Sequence, residues 1–366
     1  MRPIKQNKIR KSEEGKIDIK VLNELLEKAG VGISGSEELK RIIVAAQELK
    51  KEGDDNEKHL KPVKQIKLKE KMTVSELLKE MGNAGVMGGG KLAKAADIFE
   101  KMVKDKECKV FFGFAGAMVP GGMRQIIVDM LEKGWIDVFV STGANLTHDL
   151  IEALGFNHYQ GKAYDDDFEL KKKNIDRIYD SYMLDQVYYK LEEFFKEIFP
   201  KINKEKSIKD FLWKIGSFVD NGILHTCYKK KIPIFCPGIA DSGIGMMIWG
   251  NLVSDSKNTI DVGAFEDLKE IMDIAWTSKK NGVFYIGGGV PKNYIQQAMQ
   301  FSDLQDGASY GIQITMDRPE HGGSSGAPLR EGISWGKMSH EGDQVTLICD
   351  TTIALPVIYA AVLDRI

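Results

Sequence analysis

Near the C-terminus, the run Gly332-Ile333-Ser334-Trp335-Gly336-Lys337-Met338 sets one lysine two residues after a tryptophan, among glycine and serine with little helical character. A lysine attacks a carbon electrophile only as the neutral amine, and burial against an apolar or aromatic wall favours that form. Trp335 supplies such a wall if both side chains point to one side of an extended segment, and its ring also suits a cationic ligand. From this run alone a solvated surface lysine and a reactive amine both stay open.

Other chemistry-bearing patterns are weaker. The stretch GVMGGGKL (85–92) has Gly85, Gly90 and Lys91 at the spacing of a P-loop, yet Leu92 stands where a Mg²⁺-binding hydroxyl is required and no strand precedes it. It reads as a glycine-rich helix start. IGGGVPKNY (286–294) places three glycines between a strand pattern and a helix pattern, with Pro291 in the first turn. Such a helix N-terminus receives a pyrophosphate, although G-x-G-x-x-G is not present. The six histidines show no metal-ligand spacing. His148 and His321 fall in candidate ligand loops, whereas His59, His158, His225 and His340 read as structural or solvated. No G-x-S-x-G elbow occurs, and Ser324-Ser325-Gly326 reads as a backbone turn with hydroxyl donors.

The elements that must position these residues follow an alternating rhythm from about residue 90. Apolar strand patterns CKVFFGF, IDVFVST, IPIFCP, GVFYIGG, YGIQITM and QVTLICD are interspersed with helix patterns such as KLAKAADIFEKMVKD, MRQIIVDMLEKG, LTHDLIEALG, FEDLKEIMDIAWTSKK and PKNYIQQAMQFS. This predicts an α/β fold: a doubly wound, mostly parallel, Rossmann-like sheet with helices on both faces. An N-terminal helical, lysine-rich extension is expected over 1–75, with helices in 16–30 and from Ser34 or Ser36, and the catalytic domain over 76–366. A charged helical insertion is expected at about 165–215. Ligands of such sheets bind beyond the carboxyl ends of the strands. The segments there are 115–122, 142–149, 238–245, 288–293, 317–327 and 350–352, all rich in Gly, Ser, Thr, Asp and Asn.

Composition narrows the class. The 366 residues are 43% hydrophobic and 28% charged with net charge -2, enough for a real core and too little basic surface for bulk nucleic-acid binding. Cys108, Cys227, Cys236 and Cys349 form no C-x-x-C pair and read as reduced, buried thiols. No apolar h-region or 18-residue apolar span is seen, so a cytoplasmic protein without membrane contact is expected.

The run REGISWGKM, preceded by GGSSGA, resembles the active-site segment of deoxyhypusine synthases, and FGFAGAMVPGGMRQII, DVFVSTGANLTHDLIEALG, IPIFCPGIADSGIG, YIGGGVPKNYI and LICDTTIALP match that family's other blocks in order over about 80–366. The resemblance implies an NAD-dependent aminobutyl transferase. Spermidine is oxidised next to its secondary amine, its butylamine part passes to the active-site lysine as an imine, and the group is delivered to a lysine of translation factor 5A. Lys337 matches the family lysine. The resemblance also implies a homotetramer with active sites at dimer interfaces, and an N-terminal helix that in some members covers the site entrance, a role open to 16–30 here.

Carried over residue by residue, the implied NAD contacts are Gly116, Ala117, Pro120, Thr142, Gly143, Ala144, Asp241, Gly288, Met316, Asp317, Asp350 and Thr351. Gly116-Ala117 and Pro120 replace a family Ser-Asn and Ser, which leaves backbone donors. The implied amine-site residues are Thr147, His148, Met246, Gly322, Ser324, Glu331 and Trp335, with Asn293 beside the chemistry. Of these, Met246 stands where the family has aspartate, Ser324 where eukaryotic members have aspartate, Thr147-His148 where eukaryotic members have Glu-Glu, and Asn293 where the family has a histidine that helps proton transfer. Each lost opposite charge within about 4 Å is worth on the order of 1–4 kcal/mol. A small diamine as acceptor, giving a homospermidine synthase-like activity, and a non-catalytic regulatory paralogue are the alternative readings.

Overall fold

A computed structural model describes residues 60–301 and 306–366, together with Arg41 and Val44 in helical backbone. The chain divides into Met1–Pro62 and Val63–Ile366, and the elements that follow belong to the second unit. The two helices expected within 1–55, including 16–30, lie outside the described residues.

Thr73 opens helix α1 (Val74–Ala84). Its hydroxyl accepts from the Glu76 N–H while the Glu76 carboxylate accepts from the Thr73 N–H, a reciprocal cap. Helix α2 (Met87–Lys104) follows and takes in the three glycines and Lys91 of the P-loop-like stretch. A Cβ on Gly90 would lie 2.5 Å from the Gly85 carbonyl carbon, so Gly90 serves the close approach of the end of α1 to α2.

Six parallel strands form the main sheet: β1 (Cys108–Phe114), β2 (Val138–Ser141), β6 (Ile234–Phe235), β7 (Lys280–Ile286), β8 (Ala308–Thr315) and β9 (Met338–Ile348). Their spatial order is β6-β2-β1-β7-β8-β9. Counted within this sheet alone the order is 3-2-1-4-5-6, that of dinucleotide-binding folds, and the direction of winding reverses between β1 and β7. Strand β1 is apolar on both sides because both faces are covered. Phe112 and Phe114 face one core with Phe139, Phe284 and Ile312, under α2, α3 (Arg124–Glu132), α4 (Gly143–Ala153) and α12 (Thr351–Leu363). Phe111 faces the other with Val283 and Tyr285, under α10 (Ala264–Thr277) and α11 (Gly289–Met299). The doubly wound α/β expectation holds.

The segment 165–215 departs from the all-helical expectation. It contains α5 (Asp167–Lys172), α6 (Gln186–Ile202) and α7 (Ile208–Gly216), but also strands β4 (Ile175–Ile178) and β5 (Ser181–Leu184). These pair antiparallel, and β3 (Tyr159–Gln160) pairs on the far edge of β5. The hairpin turns on two residues with Tyr179 at φ 57, the sign that matches strand twist. Helices α8 (Gly222–Lys230) and α9 (Gly243–Ser254) complete the chain. Fully buried Asp149 ties α4 to α8 by accepting from the N–H groups of Ile223 and Leu224 and from Arg124 Nε. No helix among the described residues is long and apolar enough to cross a membrane. Cys108, Cys227 and Cys236 are buried free thiols, and Cys349 is half-buried.

Candidate active site

The carboxyl-edge loops meet one another in strand order. Gly143 abuts Ser242, where a Cβ would come within 2.5 Å of the serine Cβ, and the Thr147 hydroxyl accepts from the Ile244 N–H at 3.1 Å. Asn145 Oδ1 accepts from the Val119 N–H, joining the loops after β2 and β1. Gly287 lies against Ala115, and Gly288 against Ser325, where a Cβ would be 2.2 Å from the serine Cα. Gly121 touches the Thr352 side chain at the start of α12. Thr142 caps α4 and Asp350 caps α12, each through its side-chain oxygen.

Four helix N-termini, those of α4, α9, α11 and α12, therefore open on this edge. Gly116 (φ 83), Ala117, Ala144, Asp241, Met316 and Asp350 are exposed there. Pro120, Thr142 and Asp317 are half-buried, and Gly143, Gly288 and Thr351 are covered by the chain itself. Both Asp317 oxygens are already engaged: Oδ1 accepts from the Arg318 N–H and His321 Nδ1, and Oδ2 from the Ser325 hydroxyl. That serine bond, with the other two, holds the Asp317 carboxyl below the usual carboxylate range. Backbone N–H groups at helix starts beside exposed Asp241 and Asp350 fit the phosphates and ribose hydroxyls of a dinucleotide.

Lys337 occupies a different place. A 3₁₀-helix spans Leu329–Trp335, Gly336 closes it in the left-handed region (φ 66), and the Lys337 N–H bonds to the Gly332 carbonyl. That turn, rather than an extended segment, carries the Lys337 ammonium to 5.0 Å from the Trp335 ring centre. Lys337 is half-buried, Trp335 is 58% exposed, and Glu331 is exposed on the same short helix. The Lys337 carbonyl accepts from the Ala308 N–H, at the amino end of β8. From there to Thr315 at the carboxyl edge is about 23 Å of strand.

The residues implied for the amine thus form two groups. Thr147, His148 and the exposed Met246 sit on α4 and α9, beyond β2 and β6. Asn293, Gly322, Ser324, Glu331, Trp335 and Lys337 lie on α11 and the connection between β8 and β9. Strands β6 and β8 are four places apart in the sheet, about 19 Å.

Lys292 is a residue that sequence reasoning passed over. It is 1% exposed, and its ammonium donates to the carbonyls of Ser324 and Ala327 at 2.6 Å each and to Gln313 Oε1 at 3.2 Å. Burial pushes Lys292 down to about 8, with Glu331 acting to raise it and Lys337 to lower it. Gln313 extends the hub by donating to the Gly287 and Ser325 carbonyls. Its only sequence signal is its place after the three glycines.

His148 leads a chain of side chains. Its Nδ1 is 2.9 Å from His158 Nε2, and His158 Nδ1 is 2.8 Å from Glu152 Oε1. Burial, then the neighbouring His158, pushes His148 down to about 4. Among the described residues no group of three His, Cys, Asp or Glu side chains is placed to hold a metal ion.

The family model described as deoxyhypusine synthase matches residues 76–362. The "probable deoxyhypusine synthase 1" of Methanosarcina mazei is 44% identical over 308 residues, 83% of this chain and 95% of the relative. That of Archaeoglobus fulgidus is 39% identical over 296 residues, 80% of this chain and 94% of the relative. A crystal structure from Entamoeba histolytica, solved as a candidate deoxyhypusine synthase, superposes with a TM-score of 0.58 at 17% identity, over 82% of this chain and 97% of that one, a likeness of fold.

Proposed function

The chain belongs to the deoxyhypusine synthase family, and from that premise we propose that it moves the butylamine group of spermidine, through an imine on Lys337, to a lysine of translation factor 5A. The observation that carries this reading is the Glu331–Trp335–Lys337 arrangement, with the lysine half-buried over the indole face and a carboxylate one helical turn away. Glu331 and the Trp335 ring suit a polycation. Lys337 Nζ, as the neutral amine, adds to the oxidised carbon of the substrate, and the aminopropyl nitrogen leaves as an amine. The acceptor lysine then displaces Lys337 in the same way.

NAD, if bound, would supply the hydride acceptor for the carbon beside the secondary amine and, after transfer, the hydride donor. Asp241, Asp350 and the starts of α4 and α12 would hold it. The placing of the Lys337 main chain at the amino end of β8, away from this edge, supports a homotetramer whose sites are completed across a dimer interface. The exposed apolar ridge of Met246, Trp249 and Val253 on α9 supports it too. The same reading makes the protein a cytoplasmic enzyme.

Borohydride added to protein, NAD and spermidine, followed by peptide mapping, should leave a butylamine adduct on Lys337 and none in Lys337→Arg, whose guanidinium stays protonated. An adduct on another residue, or none, overturns the reading, whereas the expected adduct excludes a non-catalytic paralogue. Met246, Asn293 and Ser324, uncharged where the family carries charged or titratable groups, favour a second reading in which a small diamine such as putrescine is the acceptor. Mass spectrometry of products from the two acceptors in competition decides between them.

A further inference from the structure

Ala144, His148 and Glu152 follow one another at four-residue intervals along α4, so they share a ridge that starts in the turn at the carboxyl edge of β2. Side chains on a helix lean toward its N-terminus, which tilts His148 toward that turn. His158, ten residues on and past the end of the helix, returns to bridge the other two. Its side chain is 5% exposed, and that of Glu152 is 26% exposed. Arg124 Nε lies 3.7 Å from the second Glu152 oxygen, keeping a cation beside the outer end of the chain.

With His158 neutral, this order sets the tautomers. A carboxylate only accepts, so His158 Nδ1 carries hydrogen toward Glu152 and its Nε2 is left to accept. His148 Nδ1 must then be the donor to His158, and His148 Nε2 presents a bare lone pair. The logic is that of a carboxylate–histidine pair lengthened by one imidazole. With His148 pushed down to about 4 by burial and then by His158, that nitrogen is unprotonated in the neutral range, and it can pass a proton on along the chain but not keep one.

We propose that Glu152 and His158 position His148 as the base that takes the proton from the substrate's secondary ammonium before hydride loss. The proposal rests on the reading that a polyamine is oxidised here. The balance is complete. The ammonium proton goes to His148 Nε2, the His148 Nδ1 hydrogen passes to His158 Nε2, and the His158 Nδ1 hydrogen passes to Glu152, which exchanges with solvent. The neutral amine is the form whose loss of hydride, with a nicotinamide cofactor as the acceptor if bound, would leave the iminium. Proton handling is in this way moved to α4 in a chain that has an amide, Asn293, where the family resemblance implies a histidine.

Two measurements on the full-length protein test this. In histidine-¹⁵N-labelled protein at about pH 7.5, His148 should be in the Nδ1–H tautomer, and Glu152→Gln, whose amide can donate, should shift it toward Nε2–H. NADH formation from NAD and spermidine without acceptor should fall about 10- to 100-fold in kcat for Glu152→Gln, with little change in KM. His158→Gln, which keeps a polar link but cannot pass a proton, should fall similarly while melting near wild type. An Nε2–H tautomer in the wild type, or unchanged kcat in both variants, overturns the proposal. Wild-type protein with the expected tautomer but no NADH from any polyamine sinks the functional reading, and with it the role of base, while sustaining the positioning of His148 by Glu152 and His158.

Discussion

Lys292 and Ala327 are joined by a 2.6 Å hydrogen bond from a buried ammonium to a backbone carbonyl, so the loop that carries the Lys337 segment is pinned to α11 by a cation. Lys292→Met keeps most of the length of the side chain and removes every donor. It leaves buried carbonyls unsatisfied, at a cost on the order of 1–3 kcal/mol each. Expected are a lowered melting temperature and loss of most borohydride-trapped adduct at Lys337, read by calorimetry and peptide mapping. Full adduct yield would show that the loop holds its shape without the cation.

Asp350 both caps α12, accepting from the Thr352 N–H at 2.8 Å, and stands exposed at the edge proposed for NAD. Asp350→Ala should cost about 1 kcal/mol of stability, and Asp350→Asn, a good cap, almost nothing. Both should weaken NADH binding in a fluorescence titration. Normal binding by Asp350→Asn would remove the carboxylate from the ribose contact.

Met246, Trp249 and Val253 make an exposed apolar ridge at helical spacing on α9. Trp249→Glu should lower the sedimentation coefficient toward that of a smaller assembly and reduce Lys337 trapping with it. An unchanged assembly would mean that the ridge serves another purpose.

The depressed His148 gives a signed pH dependence. The folded chain holds the imidazole at about 4 against an ordinary 6.5, so between these values the unfolded chain binds more protons. The contribution to stability is full above pH 6.5 and is lost as pH falls through 4. The groups facing it are His158 and, beyond, Glu152 with Arg124. Urea melts at descending pH should show the wild type losing more stability over this window than His148→Gln. Equal slopes would contradict it.

Much of this was legible in the sequence for plain reasons. The strands of the main sheet are short apolar runs covered on both faces, and their edge loops carry small polar residues, so strand order aside the frame could be read directly. Strand β9 was read only from Gln344, because Ser339 to Asp343 are polar and pair irregularly with β8. The β4–β5 hairpin was hidden by a Tyr-Asp turn without glycine and by flanking lysines typical of helices. Helix α9 escaped because its glycines and tryptophan give no amphipathic period. The Lys292 hub and the His148–His158 pair depend on contacts between residues 10 to 35 apart in sequence, which no local pattern announces.

The Lys337 main chain leaves from the amino end of β8, away from the edge proposed for the cofactor, and in the proposed assembly this has a genetic consequence. A chain lacking the lysine (Lys337→Ala) and a chain altered at the proposed cofactor edge (Asp241→Ala with Asp350→Ala) should each be inert alone. Unfolded together and reassembled, they should regain a minor fraction of wild-type turnover. In those mixed assemblies some interfaces pair an intact lysine from one chain with an intact edge from the other. Such interallelic rescue is open only to a catalyst whose working unit is larger than its gene product, and its absence would return both halves of the reaction to a single chain.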